Sequence, residues 1–372
     1  MHKGIKICAC IGATLFAMPF VGGCGEEKSG IKALSPQDGK IVVLTNDEVT
    51  EFTSGYMLGN SENYCDKNKG DHSFMEDLVL SWSAEGQPVG YEVKLSLNKD
   101  LSDAQVFNTS KTILTLPDLF VASTYYWQVT ADYGEKKDTS KVFSFKTANT
   151  PRTIRIDGVS NTRDIGGYMT ESGKRVRQGM AFRAAYLDEI TSIGIEDAVG
   201  RYAIKTDLDL RNAGEGTSGK GSPLGADILY YNYSCPYYRG KTSAGIDNPD
   251  NHENLANALR VFANESNYPV LFHCSVGRDR TGMISMLLLG LLGVGYEDIC
   301  MDYELSFFSY RGCMDGANPV NMASDAFLGT YLYVARYLDG DKSFAENCEA
   351  YLLDVGLTQA EIDEIRRIML SA

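Results

Sequence analysis

Residues 270–289 read VLFHCSVGRDRTGMISMLLL, an apolar run, a polar turn and a second apolar run. Val270 to Phe272, following Pro269, suit a buried strand, and Met283 to Leu292 suit a buried helix. The segment between them is then a strand-to-helix loop. Such a loop, its backbone relaxed at Gly277, can aim several amide N–H groups and a helix N-terminus at one point and so hold an anion. Cys274 opens the loop, where the same donors and Arg280 would stabilise a thiolate, the nucleophilic form of the side chain. Arg280 offers a planar fork matched to phosphate oxygens, while Thr281 can either hydrogen-bond the sulfur or cap the helix. A lone cysteine at a strand end is usually a small buried hydrophobe. Packing alone, however, does not call for His, Cys, Arg, Thr and Gly together between a strand and a helix. Together these residue types lead us to expect a segment that attacks a bound phosphoryl group.

His273 to Gly282, HCSVGRDRTG, resembles the Cys-x5-Arg signature of the protein tyrosine phosphatase superfamily. The Asp before the Arg is similar to the bacterial tyrosine/phosphoinositide phosphatase family and to the myotubularin loop. NTRDIGG (Asn161–Gly167), AFRAAYL around Arg183, DLRNAGE (Asp209–Glu215), MDYELS (Met301–Ser306) and the closing GLTQAEIDEIRRIML extend the resemblance over about residues 151–372. It implies an α/β cysteine phosphatase with Cys274 as nucleophile and Arg280 as oxyanion holder, working without metal or cofactor. Ser275, Val276, Gly277, Arg278, Thr281 and Gly282 complete the expected phosphate-binding set. Arg163 and Asp164 are expected to brace the loop, Arg183, Arg211 and Asp209 to support the site, and His273 to tune or orient the cysteine. Two carboxyls compete for the proton-donor role: Asp279, where the myotubularin resemblance puts it, and Asp209 at the end of a second buried strand, YAIKTDLDLR. Arg278 stands where members commonly carry a Lys associated with phosphoinositide recognition, and exchanges a point charge for a planar fork. The implied substrates are phosphorylated proteins, phosphotyrosine first, with phosphoinositides or inositol phosphates, or non-catalytic phosphate binding, as alternatives.

The N-terminus bears on location. His2, Lys3 and Lys6 precede the apolar stretch from Ile7 to Val21, short for a membrane span but suited to a signal-peptide core. It ends in VGGC (Val21–Cys24), which resembles the bacterial lipobox. The resemblance implies cleavage after residue 23, diacylglycerol on Cys24, a lipidated tether over 24–29 and, with Gly25 next, residence at the outer membrane of a bacterial envelope. The net charge of −14 argues against nucleic acid or anionic membrane as a partner of the whole surface. Positive charge must instead be local, and Arg163, Arg183, Arg211, Arg278 and Arg280 all fall in the motifs above. Of nine cysteines, none forms a CxxC pair, so neither a zinc site nor a dense disulfide framework is indicated. Export permits a disulfide without requiring one.

Residues 30–148 have another texture. DLVLSWSAE, GYEVKLSLN, TILTLPDL, TYYWQVTADYG and KVFSFKT are short alternating runs separated by polar turns, the spacing of a β-sandwich. Trp82 and Trp127 as core anchors, and Tyr125 placed like a tyrosine corner after Leu119, resemble fibronectin type III. Exposed aromatics binding glycans are the alternative to a spacer. TANTPRT, ending at Thr153, reads as the linker. Asn212 to Asn254, rich in Gly, Ser and Tyr, suits a substrate lid or a solvated insertion. The expected architecture is thus an N-terminal all-β sandwich of the fibronectin III or Ig type followed by a C-terminal α/β tyrosine-phosphatase-like domain, with Thr358 and Glu361 forming a capping box on the last helix.

Overall fold

The computed structural model describes residues 29–239, 245–314, 317–338 and 340–371. The expected signal segment, Cys24 and the tether before Ser29 lie outside the described residues. The alternating runs form nine strands: β1 (Lys32–Ser35), β2 (Lys40–Val42), β3 (Leu78–Ser83), β4 (Gly90–Ser96), β5 (Gln105–Thr109), β6 (Ile113–Leu116), β7 (Thr124–Asp132), β8 (Lys137–Thr139) and β9 (Phe143–Thr147). β1, β3 and β6 make one sheet; β2, β9, β7, β4 and β5 make the other, with β8 paired to β7. Along β7 the buried residues are Tyr125, Trp127, Val129 and Ala131, the period of two that puts one face on a core. Trp82 and Trp127 are fully buried, their rings 6.4 Å apart. They fill the core and offer no glycan surface. The Tyr125 hydroxyl accepts the Phe120 N–H at 2.8 Å, which closes the expected corner.

The all-β expectation fails between β2 and β3. Residues 43–77 leave the sandwich as a strap that begins with helix α1 (Asp47–Ser54), N-capped by Asn46. Only Val49 and Phe52 are buried in this helix, and they pack on Leu305 and Phe308 of the following domain. The strap is fastened further by Glu304. Its fully buried carboxylate accepts the Tyr56 hydroxyl at 2.6 Å, the Ser61 hydroxyl at 2.6 Å and the Gly59 N–H at 2.9 Å. A disulfide joins Cys65 to Cys313. The strap shows little in sequence because two apolar residues on a polar helix do not make a readable stripe.

The second domain carries a six-stranded sheet in the order β10 (Arg152–Thr153), β11 (Arg163–Asp164), β12 (Ala181–Ala184), β15 (Val270–His273), β13 (Thr206–Asp209), β14 (Leu229–Asn232). β12, β15, β13 and β14 are parallel, and β10 and β11 add an antiparallel edge. Two sequence expectations change here. Arg152 and Thr153 are part of the sheet, since the Arg152 guanidinium bonds Asp164 at 2.7 Å, so the linker ends before them. Residues 229–232, within the expected lid or insertion, form an edge strand because their backbone pairs with β13.

The parallel strands are covered on both faces, as such sheets must be. Val270 and Phe272 face one core and Leu271 the other. Helices α2 (His252–Arg260), α3 (Asp279–Leu291), α4 (Tyr296–Glu304), α5 (Leu328–Ala335), α6 (Phe344–Val355) and α7 (Gln359–Met369) build the core on the Val270 and Phe272 side, while Leu187, Ala198, Tyr202 and Ile204 cover Leu271. α3 is buried from Thr281 to Leu291, which explains its apolar character all round. Capping boxes open α6 at Ser343 and α7 at Thr358, the latter as expected. Ala184 and Asp209 are both in register with His273. The loops after β12, β13 and β15 therefore rise together at the carboxyl edge of the sheet, where α/β proteins place their sites.

Candidate active site

Cys274 leaves β15 as a buried residue, and the next four residues are shaped by where their carbonyls go. The Ser275 carbonyl accepts the Tyr186 N–H at 3.3 Å. The Val276 carbonyl accepts Asn161 Nδ2 at 2.9 Å, and the Gly277 carbonyl accepts Arg183 Nη2 at 2.8 Å. The Arg278 carbonyl accepts the Gly282 N–H at 2.8 Å as α3 begins. With the carbonyls tied outward, the amides of Ser275, Val276, Gly277 and Arg278 meet no acceptor among the described residues. Unpaired backbone donors grouped at a helix start form an anion nest. Gly277 has φ +69°, and a Cβ there would come within 2.5 Å of the Ala184 carbonyl group, so no other residue fits.

Arg280 is held as a fork. Its Nη1 and Nη2 bond the two oxygens of Glu215 at 3.0 and 2.9 Å, and Nη2 also bonds Ser275 Oγ at 3.1 Å. The Arg280 bonds, with the attraction of its charge, hold the Glu215 carboxyl down at about 2. Glu215 is itself placed by the turn after β13. Arg211 bonds both oxygens of Asp209 and reaches Asp188 at 3.0 Å, and Asp188 in turn accepts the Thr217 hydroxyl and N–H. Arg211 thus braces the carrier of the clamp rather than the loop itself.

The two candidate proton donors sit differently. Asp209 is buried; burial favours its neutral form, but the Arg211 fork and nearby His273 prevail and its pKa is lowered. Asp279 begins α3 and is partly exposed, accepting from Arg278 Nε at 2.9 Å and from the hydroxyls of Tyr238 and Tyr303. His273 lies between Asp207, 3.0 Å from Nε2, and Asp209, 4.0 Å from Nδ1. Burial opposes its charge, yet the two carboxylates raise its pKa. Its ring faces these carboxylates; its one other bond is a long 3.5 Å contact from Nδ1 to the Cys274 carbonyl.

Three of the expected phosphate-binding residues have other engagements in this structure. The Arg278 guanidinium is committed to Asp279 and to the Gly312 carbonyl at 2.6 Å, and lies over the Phe307 ring. Gly282 spends its N–H inside the helix. The Thr281 hydroxyl is buried without a partner among the described residues, and it caps nothing: the N-cap position is Arg278, which makes no side-chain cap. Asp164 does not touch the loop either. It is buried against Arg152 and the N–H groups of Gly166 and Gly179, and desolvation raises its pKa despite that arginine.

Behind the loop lies a buried assembly in which the expected supports Arg163 and Arg183 meet two residues given no role in the sequence reading, Asn161 and Asp302. Arg163 Nε bonds Asp302 Oδ1 at 2.9 Å, its Nη1 bonds Asn161 Oδ1, and Arg183 Nη1 bonds Asp302 Oδ2. Burial and the neighbouring Arg163 push the Arg183 pKa down to about 10, while Asp302, penalised by burial, is drawn down by both guanidiniums. Removing one partner from such an assembly costs about 3–5 kcal/mol, because a charge is left buried and unpaired. Asn161, Glu215 and Asp302 all lie in the quoted motifs NTRDIGG, DLRNAGE and MDYELS, so their signal was present. What was missing was which loop atom each one serves.

The sequence pattern of the tyrosine phosphatase family matches residues 154–371. This is more than half of the chain, and the chain belongs to that family. A Cupriavidus necator protein whose name proposes a tyrosine-protein phosphatase is 29% identical over 178 residues, covering 40% of this chain and 61% of that protein. The chain thus spans less than two thirds of that relative. A tyrosine-protein phosphatase of Nostoc commune is 26% identical over 218 residues, covering 50% of this chain and 72% of its own length. Among solved structures, the core catalytic domain of the PP-IP phosphatase SIW14 from S. cerevisiae, in complex with citrate, aligns with 17% identity and a TM-score of 0.27. It covers 43% of this chain and 86% of that one.

The clamp on Arg280 makes a testable difference. Glu215→Gln leaves the fork without its ion pair, and oxyanion affinity and kcat/KM are expected to fall by about 10- to 100-fold, read by tungstate titration and steady-state kinetics. The sign with pH follows from the depressed carboxyl. Its contribution is complete above the ordinary carboxyl pKa and is lost only as pH falls through about 2. Wild type and Glu215→Gln should therefore share the shape of their pH–rate profiles above about pH 4; a wild-type rate in the variant, or a limb that vanishes with it, contradicts the clamp.

Proposed function

We propose that the chain is a cysteine-dependent phosphomonoester hydrolase acting first on phosphotyrosine in proteins. The observation that carries this is the coincidence, at one sheet edge, of Cys274, a loop whose carbonyls are all tied outward, and an Arg280 fork held by Glu215. In the proposed reaction the Cys274 thiolate attacks phosphorus, forming an S–P bond as the P–O bond to the leaving group breaks. Loop amides and Arg280 hold the three equatorial oxygens. Asp279 gives its proton to the leaving oxygen. Its carboxylate then takes a proton from the water that cleaves the S–P bond, which returns thiolate and releases phosphate.

Asp279 is preferred to Asp209 as the acid because it stands at the loop and partly in solvent, while Asp209 is buried and fully engaged by Arg211. The same placement weighs against a phosphoinositide or inositol phosphate as first substrate. In the family resemblance that reading is tied to a Lys, and the Arg278 that replaces it has its guanidinium occupied by Asp279 and Gly312. Ser275, Val276, Gly277 and Arg278 are assigned to phosphate through their amides. The sandwich is assigned as a fibronectin III-like spacer, on its three-strand and larger-sheet split and on the Tyr125 tie. The Cys24 lipobox supports a lipid-anchored protein of a bacterial outer membrane.

Three outcomes test these assignments. Cys274→Ser should lose turnover while still binding tungstate; undiminished activity would sink the nucleophile. Asp279→Asn should barely slow an aryl phosphate with a very acidic phenol but slow an alkyl phosphate by about 10²–10⁴-fold in single turnovers, with no such dependence in Asp209→Asn. The reverse pattern exchanges the two roles. Cys24→Ser should abolish labelling by radioactive palmitate and free the protein from membranes, and persistent labelling refutes the anchor.

A further inference from the structure

Asp71 lies in the strap, remote in sequence from every motif of the site, and yet it touches the frame of the phosphate loop. We infer that Asp71 is a positioning residue for that loop, supplied by the β domain to its neighbour; the inference rests on the phosphatase reading of the site. Its Oδ1 accepts the Ser160 hydroxyl at 2.6 Å and the Tyr310 N–H at 2.7 Å, and its Oδ2 accepts the Asn161 N–H at 2.6 Å. Asn161 has φ +60°, a left-handed conformation that is strained for a non-glycine residue and that Asn tolerates better than most. A short, charge-assisted bond to its N–H holds it there. In that conformation its side chain works in two directions, Nδ2 donating to the Val276 carbonyl and Oδ1 accepting from Arg163. The chain of contacts from the strap to the loop is thus Asp71, Asn161, Val276.

The strap reaches the loop by a second path that Asp71 also joins. Tyr310 belongs to the segment 308–313, which the strap grips at both ends. At one end the His72 N–H donates to the Phe308 carbonyl at 2.9 Å, and at the other the disulfide joins Cys65 to Cys313. Between them, Gly312 offers its carbonyl to Arg278, whose Nε holds Asp279. Asp71 ties this segment to residues 160 and 161 with a single carboxylate. Gluing two domains together would need only the apolar contact of Val49 and Phe52 and the Glu304 cluster, neither of which bonds Ser160, Asn161 or Tyr310. The β domain then does more than carry the enzyme at a distance, because the phosphate loop is completed by a residue from it.

The test uses the full chain. Asp71→Asn keeps the size of the side chain and removes its charge, while Tyr56→Phe loosens the strap at Glu304 without touching the loop frame. Tungstate affinity is measured by calorimetry, beside kcat and KM for para-nitrophenyl phosphate and the thermal unfolding midpoint. Asp71→Asn is expected to weaken tungstate binding by about tenfold and to lower kcat by at least as much while folded, since small displacements of positioned groups are costly to rate. Tyr56→Phe is expected to bind tungstate as wild type does, whatever its stability. Wild-type affinity and kcat in Asp71→Asn overturn the inference. So does an equal loss of affinity in Tyr56→Phe, which would make the effect a general loosening of the strap. If the wild-type chain binds tungstate but cleaves no phosphomonoester, the hydrolase reading fails, and the tungstate comparison alone still decides the role of Asp71.

Discussion

The phosphate loop hangs from two buried guanidinium groups, and one carboxylate makes their coexistence possible. Arg163 and Arg183 would repel each other in a region from which water is excluded. Asp302 takes one bond from each and neutralises part of that repulsion. One further donor of each reaches forward, Arg183 Nη2 to the Gly277 carbonyl and Arg163 Nη1 to Asn161, which holds the Val276 carbonyl, while Arg163 Nη2 stays on the Asp302 carbonyl and the Ser306 hydroxyl. A backbone carbonyl pulled outward turns the neighbouring amide inward, so the shape of the anion nest is a consequence of how the charges behind it are paired. The strap adds its own carboxylate, Asp71, to the same frame from the other domain.

This pairing changes the electrostatic picture that composition suggests. An acidic chain with arginines gathered in its motifs reads as a focused positive field. In the folded protein each of these arginines has a carboxylate partner: Arg280 with Glu215, Arg278 with Asp279, Arg211 with Asp209 and Asp188, and Arg163 and Arg183 with Asp302. The paired guanidiniums act through geometry as much as through charge. Arg280 is delivered with its plane already set, so little side-chain entropy is lost when an oxyanion arrives. The nest is then chiefly a matter of backbone dipoles and the start of α3.

Much of this organisation was legible in the chain. The apolar run from Val270 to Phe272, the turn at Gly277 and the apolar run of α3 predicted strand, loop and helix in their observed places, because local hydrophobic period and glycine chemistry act over a few residues. The sandwich and its two tryptophans were legible for the same reason. Less legible was the role of each polar side chain. Arg278 and Gly282 stand side by side with the phosphate set in sequence, but the fold spends the guanidinium of one, leaving its amide to the nest, and the amide of the other on Asp279, Gly312 and the first turn of α3. Glu215 and Asp302 were visible as letters of their motifs, with no sign of which arginine each would meet.

The sequence by itself determined the secondary elements around Cys274, the succession of a β-rich stretch and an α/β stretch and the residue types gathered at the loop, since these follow from composition and spacing along local stretches of chain. Only the tertiary structure decided that residues 43–77 cross from the sandwich to the second domain, that Cys65 meets Cys313 across 248 residues, and that Asp71 serves Asn161. Such contacts join residues with no shared period. They exist because burying Phe52 on Phe308 and satisfying Glu304 place the strap beside the loop, and the free energy of that placement belongs to the assembled surface, with no counterpart in any local segment.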